Sequence, residues 1–257
     1  MKRPWWNPIQ CTWWYPKWSK ETPSIAMLHS VNKEVVDETC PNNTIRPEEL
    51  EGLIRTLQNN GYHFNTFRKA NELPNDKTVV LTFDDGLVDN YYVMFSIIKC
   101  LKIPVTCFVT NRGDPSRKDQ NGICERFEFG RPENFLSPEM ILEMHESGLV
   151  EFGGHTANHF TLTDQNLDCA WHDIIVNKAW LEKIIKEEIV SFCYPRGRYS
   201  DEIIDLVKKA GYKYAATMQK KMRPITTEPY CIHRQIIPRG LQPWQSYLLA
   251  TRGKYKL

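Results

Sequence analysis

The sequence predicts an α/β fold of repeated strand–helix units, either a (β/α) barrel or a doubly wound sheet. Two observations support this prediction. Short apolar runs recur along the chain, and stretches with helix-capping residues separate them. Strands that alternate with helices at this spacing pair in parallel, because each helix carries the chain back across the sheet.

The elements follow one another regularly from residue 24 onward. The first helix opens at Arg46 with Pro47 and two glutamates in its first turn, and Gly61 ends it. Strands are predicted at residues 25–28, 79–83, 105–110, 150–153, 189–194 and 212–217. The further helices are predicted at residues 87–100, 138–147, 166–187 and 201–210.

Three segments depart from the alternation. Residues 1–23 are rich in tryptophan and proline, and we expect an irregular N-terminal arm that precedes a catalytic domain at 24–257. Residues 111–135 are predicted to be a long loop, and loops of that length usually flank a site. In the tail from residue 223, a strand is expected around 231–237, followed by a covering segment.

The composition is that of a soluble globular protein, with 41% hydrophobic and 25% charged residues. The 33 Lys and Arg against 31 Asp and Glu give a net charge of +2, so no global field recruits nucleic acid or an anionic membrane. No apolar run approaches the roughly 18 residues of a transmembrane helix.

The first residues and the cysteines indicate a reducing compartment. Residues 1–8 begin with a positive pair but continue into tryptophans and prolines, which is not a secretion signal. The eight cysteines include no C-x-x-C pair, so we expect free, buried thiols and a cytoplasmic protein.

Two adjacent carboxylates, Asp84 and Asp85, follow the strand predicted at 79–83 and precede Gly86. In parallel α/β folds, the ends of the strands and the loops after them build the active site. A turn at Gly86 can bring both carboxylates to one pocket, where one binds a cation and the other transfers protons. An ordinary Asp-Asp-Gly turn is the alternative interpretation.

Two histidines, His155 and His159, follow the strand predicted at 150–153. A spacing of four places them on one face of a helical turn, which suits a divalent metal with an open position for water. The H-x-x-x-H pattern is a weak signal by itself. Combined with the carboxylates it predicts a two-histidine, one-carboxylate metal site.

These motifs resemble those of the polysaccharide deacetylases of carbohydrate esterase family 4. Residues 82–86 and 155–159 match the first two family motifs, and residues 192–199, F-C-Y-P-R-G-R-Y, look like the third. Residues 26–31 are similar to the opening strand of the branch that deacetylates poly-N-acetylglucosamine. The resemblance covers residues 24 to 238 and implies a distorted or incomplete (β/α) barrel.

The resemblance also implies roles for individual residues. Asp84 would be the general base that activates the attacking water. Asp85, His155 and His159 would bind one divalent ion, expected to be Zn, with Co, Ni, Mn and Fe as alternatives. The backbone N–H of Arg196 would be the oxyanion donor.

Tyr194 and Arg234 are the other residues expected at the substrate. One departure from the family pattern is Arg196, which stands where an aromatic residue commonly follows the proline.

Two histidines are candidates for the general acid. The family's usual acid is a histidine on a late strand, which favours His233, and His29 at the end of the first strand is its rival. Strand alternation allows only one of His233 and Arg234 to face the pocket. If Arg234 faces inward, it would lie beside Asp84 and keep that carboxylate ionised, and His29 would become the acid. We rank His233 ahead of His29.

We therefore expect a metal-dependent hydrolase that removes an acyl group, expected to be acetyl, from an N-acylated sugar. The sugar could belong to a glycan or to a lipid-linked or nucleotide-linked carbohydrate. One alternative is an amidohydrolase acting on a non-sugar or cyclic amide. Another is a carbohydrate-binding relative without turnover, against which the intact Asp84, Asp85, His155 and His159 argue.

Overall fold

Parallel strands form the centre of the structure, a computed structural model that describes residues 23–75, 77–114, 132–218 and 228–253. The strands are β1 (Ser24–Leu28), β2 (Ser30–Val31), β3 (Thr44–Ile45), β4 (His63–Phe64), β5 (Thr78–Phe83), β6 (Val105–Val109), β7 (Val150–Gly154), β8 (Ser191–Cys193), β9 (Tyr214–Thr217), β10 (Ile232–His233) and β11 (Gln235–Ile236). The helices are α1 (Pro47–Asn59), α2 (Phe67–Glu72), α3 (Phe95–Leu101), α4 (Pro138–Glu146), α5 (Leu167–Ile185), α6 (Asp201–Lys209) and α7 (Pro243–Arg252).

The main sheet is parallel and almost closes on itself. Its strand order is β10-β9-β8-β7-β6-β5-β1-β11, and β4 pairs with β5 beside this path. Strands β10 and β11 lie at opposite ends of the order, yet only Arg234 separates them in the chain. The segment 232–236 therefore pairs with β9 through its first half and with β1 through its second, and it joins the two edges into a nearly closed (β/α) barrel.

Helix α1 illustrates how the sequence builds the outer layer. The Glu49 carboxylate accepts a hydrogen bond of 2.8 Å from the backbone N–H of Arg46, which caps the first turn after Pro47. Four apolar side chains at helical spacing are buried against the sheet: Leu50, Leu53, Ile54 and Leu57. The expected stop follows the helix, where Gly61 has a φ of 75°.

Alternate residues of each strand divide between two cores. In β5, Val79 and Leu81 belong to the large cluster under the helices, whereas Val80 belongs to a smaller cluster. The smaller cluster also takes Phe108 from β6 and Cys193 from β8, and it occupies the inside of the barrel. The side chains that face the barrel interior thus form a core that extends toward the carboxyl ends of the strands.

The structure modifies some sequence-based expectations. The helix predicted at 87–100 begins as a π-helical turn at Asn90–Met94 and continues as α3. The strand expected around 231–237 is interrupted at Arg234, and the covering segment after it contains helix α7. The arm at residues 1–22 and most of the loop at 111–135 lie outside the described residues.

Within the described ranges, no helix combines the length and apolar character needed to cross a membrane. All six cysteines described are free, but only Cys107 and Cys193 are buried. The expectation of buried thiols is therefore wrong for Cys40, Cys100 and Cys169, which are exposed.

Candidate active site

A pocket of about 470 Å³ opens at the carboxyl ends of the barrel strands. Its lining includes six of the residues singled out from the sequence: His29, Asp84, Asp85, His155, His159 and Arg196. These residues come from four separate stretches of the chain. The position agrees with the rule that strand ends and the following loops carry the site in barrels of this kind.

The three expected metal ligands converge in this pocket. Oδ1 of Asp85 lies 3.4 Å from Nε2 of His155 and 3.3 Å from Nε2 of His159. The two imidazole rings have centroids 4.9 Å apart. Asp85 reaches this point because it adopts a left-handed backbone conformation, with a φ of 74°, directly after the strand.

The loop that carries the histidines is not the helical turn that their spacing suggested. Thr156 and His159 both have positive φ angles, 63° and 59°, which no α-helix contains. The loop is fixed from outside by Asp173 of α5, whose carboxylate accepts a hydrogen bond of 2.9 Å from the N–H of Asn158. The convergence of the two imidazoles therefore depends on tertiary contacts.

Gly154 at the end of β7 sets the position of His155. A Cβ atom on Gly154 would lie 2.2 Å from the Tyr212 hydroxyl oxygen and 2.7 Å from Oδ1 of Asn177. With no side chain there, Asn177 approaches closely enough to accept a hydrogen bond of 3.0 Å from the His155 N–H. Only glycine allows this close approach of α5 and the strand end.

The second ring nitrogen of His155 fixes its orientation. Nδ1 lies 2.8 Å from the carbonyl oxygen of Cys193. A carbonyl oxygen only accepts, so Nδ1 carries a proton and Nε2 is the ring nitrogen that faces Asp85. Burial lowers the pKa of His155, but Cys193 and Asp85 beside it outweigh burial and raise that pKa well above its usual value, so a cation that binds here would displace a proton from Nε2. Burial lowers the pKa of His159 to about 4, which keeps that imidazole neutral, the form that binds metal.

The residues fit a divalent cation. Oδ1 of Asp85 is buried and has no hydrogen-bond partner within the described part of the chain, so an acceptor faces the centre of the triad. Ligand atoms at about 2.0–2.2 Å from a tetrahedral zinc ion lie about 3.3–3.6 Å from one another. The measured distances of 3.3 and 3.4 Å match that spacing.

A second group of potential ligands contains Asp84, His155 and Cys193. It is a poorer cation site, because the Arg234 guanidinium already lies within hydrogen-bond distance of Asp84 and Cys193. The Asp85 group is therefore the candidate metal site.

Asp84 is held by a buried, two-point ion pair. Nη1 and Nη2 of Arg234 donate hydrogen bonds of 2.7 Å to Oδ1 and Oδ2 of Asp84. Burial raises the pKa of Asp84, but the charge and hydrogen bonds of Arg234 outweigh burial and lower it below its usual value. Asp84 is thus an ionised carboxylate beside the candidate metal site.

The inward position of Arg234 reverses the order given to the two candidate acids. Arg234 is 1% exposed and points at Asp84, so alternation turns the neighbouring His233 away, and His233 is not among the lining residues of the pocket. His29 lines the pocket together with Asp84 and Asp85. The geometry therefore favours His29.

The two third-motif residues occupy different environments. Arg196 lines the pocket and has a left-handed φ of 57°. The Tyr194 side chain is buried in the core, with its ring 5.3 Å from the rings of both Phe192 and Tyr199. Because Cys193 faces the barrel interior, Tyr194 must face the other way, and it is not among the lining residues of the pocket. A substrate role for Tyr194 stays a prediction.

Comparison with known proteins identifies the family. The family model for polysaccharide deacetylase matches residues 71–215, more than half of the chain. The chain belongs to the polysaccharide deacetylase family. This deacetylase family hydrolyses N-acetyl amides, and the match includes Asp84, Asp85, His155 and His159.

Several relatives share most of the length of this chain. The poly-β-1,6-N-acetyl-D-glucosamine N-deacetylase of Staphylococcus aureus (strain MRSA252) is 24% identical over 210 residues, 76% of this chain and 68% of that protein. The Streptococcus pyogenes deacetylase PplD, solved in complex with acetate, superposes with a TM-score of 0.74 at 23% identity and covers 92% of this chain and 99% of its own. IcaB from Ammonifex degensii gives a TM-score of 0.68 at 22% identity, with 83% and 91% covered. These structures share the barrel fold.

Sequence reasoning missed two groups at the candidate site. The first is the Cys193 thiol, which lies 3.5 Å from Oδ2 of Asp84 and accepts a hydrogen bond of 3.0 Å from Nη2 of Arg234. Strand alternation within the third motif could have indicated it, since Cys193 lies on the inward face. Burial raises the pKa of the Cys193 thiol, so it stays protonated.

The second missed group is Asp89 with Asn90, which fixes the chain next to His29. The Asn90 amide donates a hydrogen bond of 2.8 Å to the His29 carbonyl oxygen and one of 3.1 Å to Asp89. The Ser30 hydroxyl donates to the other carboxylate oxygen of Asp89. The D-N pair four residues after the candidate ligand Asp85 was the available signal, but nothing in the sequence placed it beside residues 29 and 30.

Asp89 is expected to make folding stability depend on pH. Burial raises its pKa from 3.8 to about 6. Between these values the unfolded chain loses this proton and the folded chain keeps it, so the stability present below pH 4 is lost as the pH rises to 6. The loss is on the order of 2–3 kcal/mol, at about 1.4 kcal/mol per pK unit.

The D89N variant should lack the pH-dependent part of the unfolding free energy that Asp89 contributes. Urea unfolding of both proteins between pH 4 and 7 would show a difference in unfolding free energy that changes in favour of the variant as the pH rises. The exposed Asp205→Asn substitution is the matched control and should leave the wild-type pH dependence in place. Parallel curves for D89N and the wild type would contradict the assignment.

Proposed function

We propose that this chain is a divalent-metal-dependent N-deacetylase that removes the acetyl group from an N-acetylated sugar. The observation that supports it best is the placement, in one pocket, of the Asp85–His155–His159 triad beside a carboxylate that Arg234 keeps ionised. When bound, a divalent ion at the triad would act as a Lewis acid toward the amide carbonyl and lower the pKa of water. Zinc is the ion we propose.

The chain's own residues supply the proton transfers. Asp84 accepts the proton of the attacking water, because it is ionised and lies beside the triad. Arg234 keeps Asp84 oriented and deprotonated through its two hydrogen bonds. The N–H of Arg196, on the turn after Pro195, donates to the oxygen that becomes negative as the amide carbon becomes tetrahedral. His29 then protonates the departing amine.

Acetate release from a panel of amides tests this proposal. The chain is stripped of metal, reconstituted with zinc, cobalt, nickel or manganese, and assayed on β-1,6- and β-1,4-linked N-acetylglucosamine oligomers and on a cyclic ureide. We expect metal-dependent acetate release from a sugar and no ring opening. Turnover of the cyclic ureide alone would replace the proposal with a non-sugar amidohydrolase, and absence of turnover with metal bound would indicate a binding protein.

The acid assignment predicts different losses at the two histidines. His29→Ala should lower the single-turnover rate by at least about 100-fold, the contribution typical of a general acid. His233→Ala is the matched control, and its rate should stay within a few-fold of wild type because His233 does not line the pocket. Rapid-quench measurement of acetate on one sugar substrate would decide. A large loss in H233A with little loss in H29A would return the role to His233.

A further inference from the structure

A second cleft adjoins the catalytic pocket and differs from it in character. It has a volume of about 400 Å³ and is lined by Thr163, Arg196, Gly197, Arg198, Tyr199 and Met218. Arg196 and Met218 line both cavities, so the cleft opens directly from the pocket. A substrate whose acetamide lies at the triad would therefore extend along this cleft. We call it the arginine cleft.

Arg196 projects from a rigid turn. Its φ of 57° is held between buried Pro195 and Gly197, and the Thr217 hydroxyl donates a hydrogen bond of 2.7 Å to the Gly197 carbonyl oxygen. Among the residues that the structure describes, the Arg196 guanidinium has no hydrogen-bond or ion-pair partner. It is exposed, so the fold presents five N–H donors and a positive charge at the junction of the two cavities.

Arg198 adds a second charge that is only weakly neutralised. Nη1 of Arg198 lies 3.9 Å from Oδ2 of Asp164, and the two side chains are 63% and 59% exposed. An ion pair so long and exposed contributes little, because water and salt screen it. The described lining of the arginine cleft contains no carboxylate. Two arginine side chains, both exposed, thus line one cleft.

We propose that the arginine cleft binds an anionic group, a phosphate or a carboxylate, carried by the sugar unit next to the one that is deacetylated. The inference rests on the proposed function, since it assumes that an N-acetylated sugar occupies the triad pocket. The planar guanidinium fork matches both anions by paired hydrogen bonds. A neutral glycan would supply no charge to offset the two cations.

The test compares matched substrates within each protein. The probes are a neutral β-linked N-acetylglucosamine disaccharide, the same disaccharide with a phosphate on the neighbouring unit, and the same with a carboxylate ether there. For the zinc-loaded wild type we expect a kcat/KM at least about tenfold higher on one of the charged disaccharides than on the neutral one. Which charged form is preferred identifies the anion.

Two variants examine the cleft. R196Q, which keeps the backbone N–H, and R198Q should each lower the ratio of charged to neutral kcat/KM by about five- to tenfold. Arg55→Gln on α1, a residue that lines neither cavity, removes a charge as a control and should leave the ratio unchanged. A ratio near one in the wild type, or a ratio unaffected by both variants, would overturn the proposal.

A calorimetric measurement of how the charged disaccharides bind to the metal-stripped chain distinguishes failure of the anion-site proposal from failure of the proposed deacetylation. Binding that R196Q and R198Q weaken, without acetate release from any sugar, would retain the anion site and overturn the proposed deacetylation. Acetate release from all three probes at equal rates would retain deacetylation and overturn the anion site.

Discussion

Replacing Asp84 with Asn is expected to lower acetate release by at least about 100-fold while one metal ion per chain stays bound. The amide has the same shape as the carboxylate but cannot accept a proton. The three proposed ligands Asp85, His155 and His159 are untouched by the change. Turnover measured together with metal content therefore distinguishes a lost base from a lost metal.

The Asp84→Asn result has a matched control in Asp205→Asn, an equal change on the exposed face of α6. That variant should keep wild-type activity and metal. Circular dichroism would confirm that D84N remains folded, because the change weakens the pair with Arg234. Near-wild-type turnover in D84N would transfer the base role to another group, and loss of metal would make Asp84 a ligand.

Replacing Arg234 with Met should produce the largest loss of stability. Arg234 is fully buried, and its removal leaves the Asp84 carboxylate charged, buried and unpaired. Breaking a buried pair from one side typically costs about 3–5 kcal/mol. Urea unfolding of R234M at neutral pH should show a loss of that size.

The double variant D84N/R234M tests the cause of that loss. Removing both charges removes the unpaired carboxylate, so the double variant should be more stable than R234M. Arg55→Met is the surface control, since its ion pair with Glu51 is half exposed and contributes less than about 1 kcal/mol. If R234M were as stable as R55M, the buried ion pair between Arg234 and Asp84 would not stabilise the fold as proposed.

Much of the barrel could be predicted because its signals are local. Apolar runs, helix caps and terminal glycines lie within a few residues of one another, and they correctly predicted the strands that end just before Asp84 and His155. The sequence predicted a single strand around residues 231–237 and did not indicate that it divides into the two-residue strands β10 and β11. Their division at Arg234 follows from pairing with β9 and β1, strands that are far apart in the sequence.

Sequence motifs singled out six residues that line one pocket, but they did not predict the geometry of that pocket. The spacing of His155 and His159 suggested a helical turn, but Asp173, distant in sequence, holds the loop in left-handed conformations that spacing cannot reveal. Alternation required one of His233 and Arg234 to face inward without saying which. The choice is made by the buried Asp84 carboxylate, whose charge requires a cation.

The most direct test of the central claim is a zinc titration of the metal-stripped chain, followed by acetate release from an N-acetylglucosamine oligomer. The account predicts no release without metal and a linear rise that ends at one zinc per chain. His159→Ala should show no such end point at stoichiometric zinc. Full activity of the stripped wild type in the presence of a chelator, or the same end point in H159A, would contradict the account.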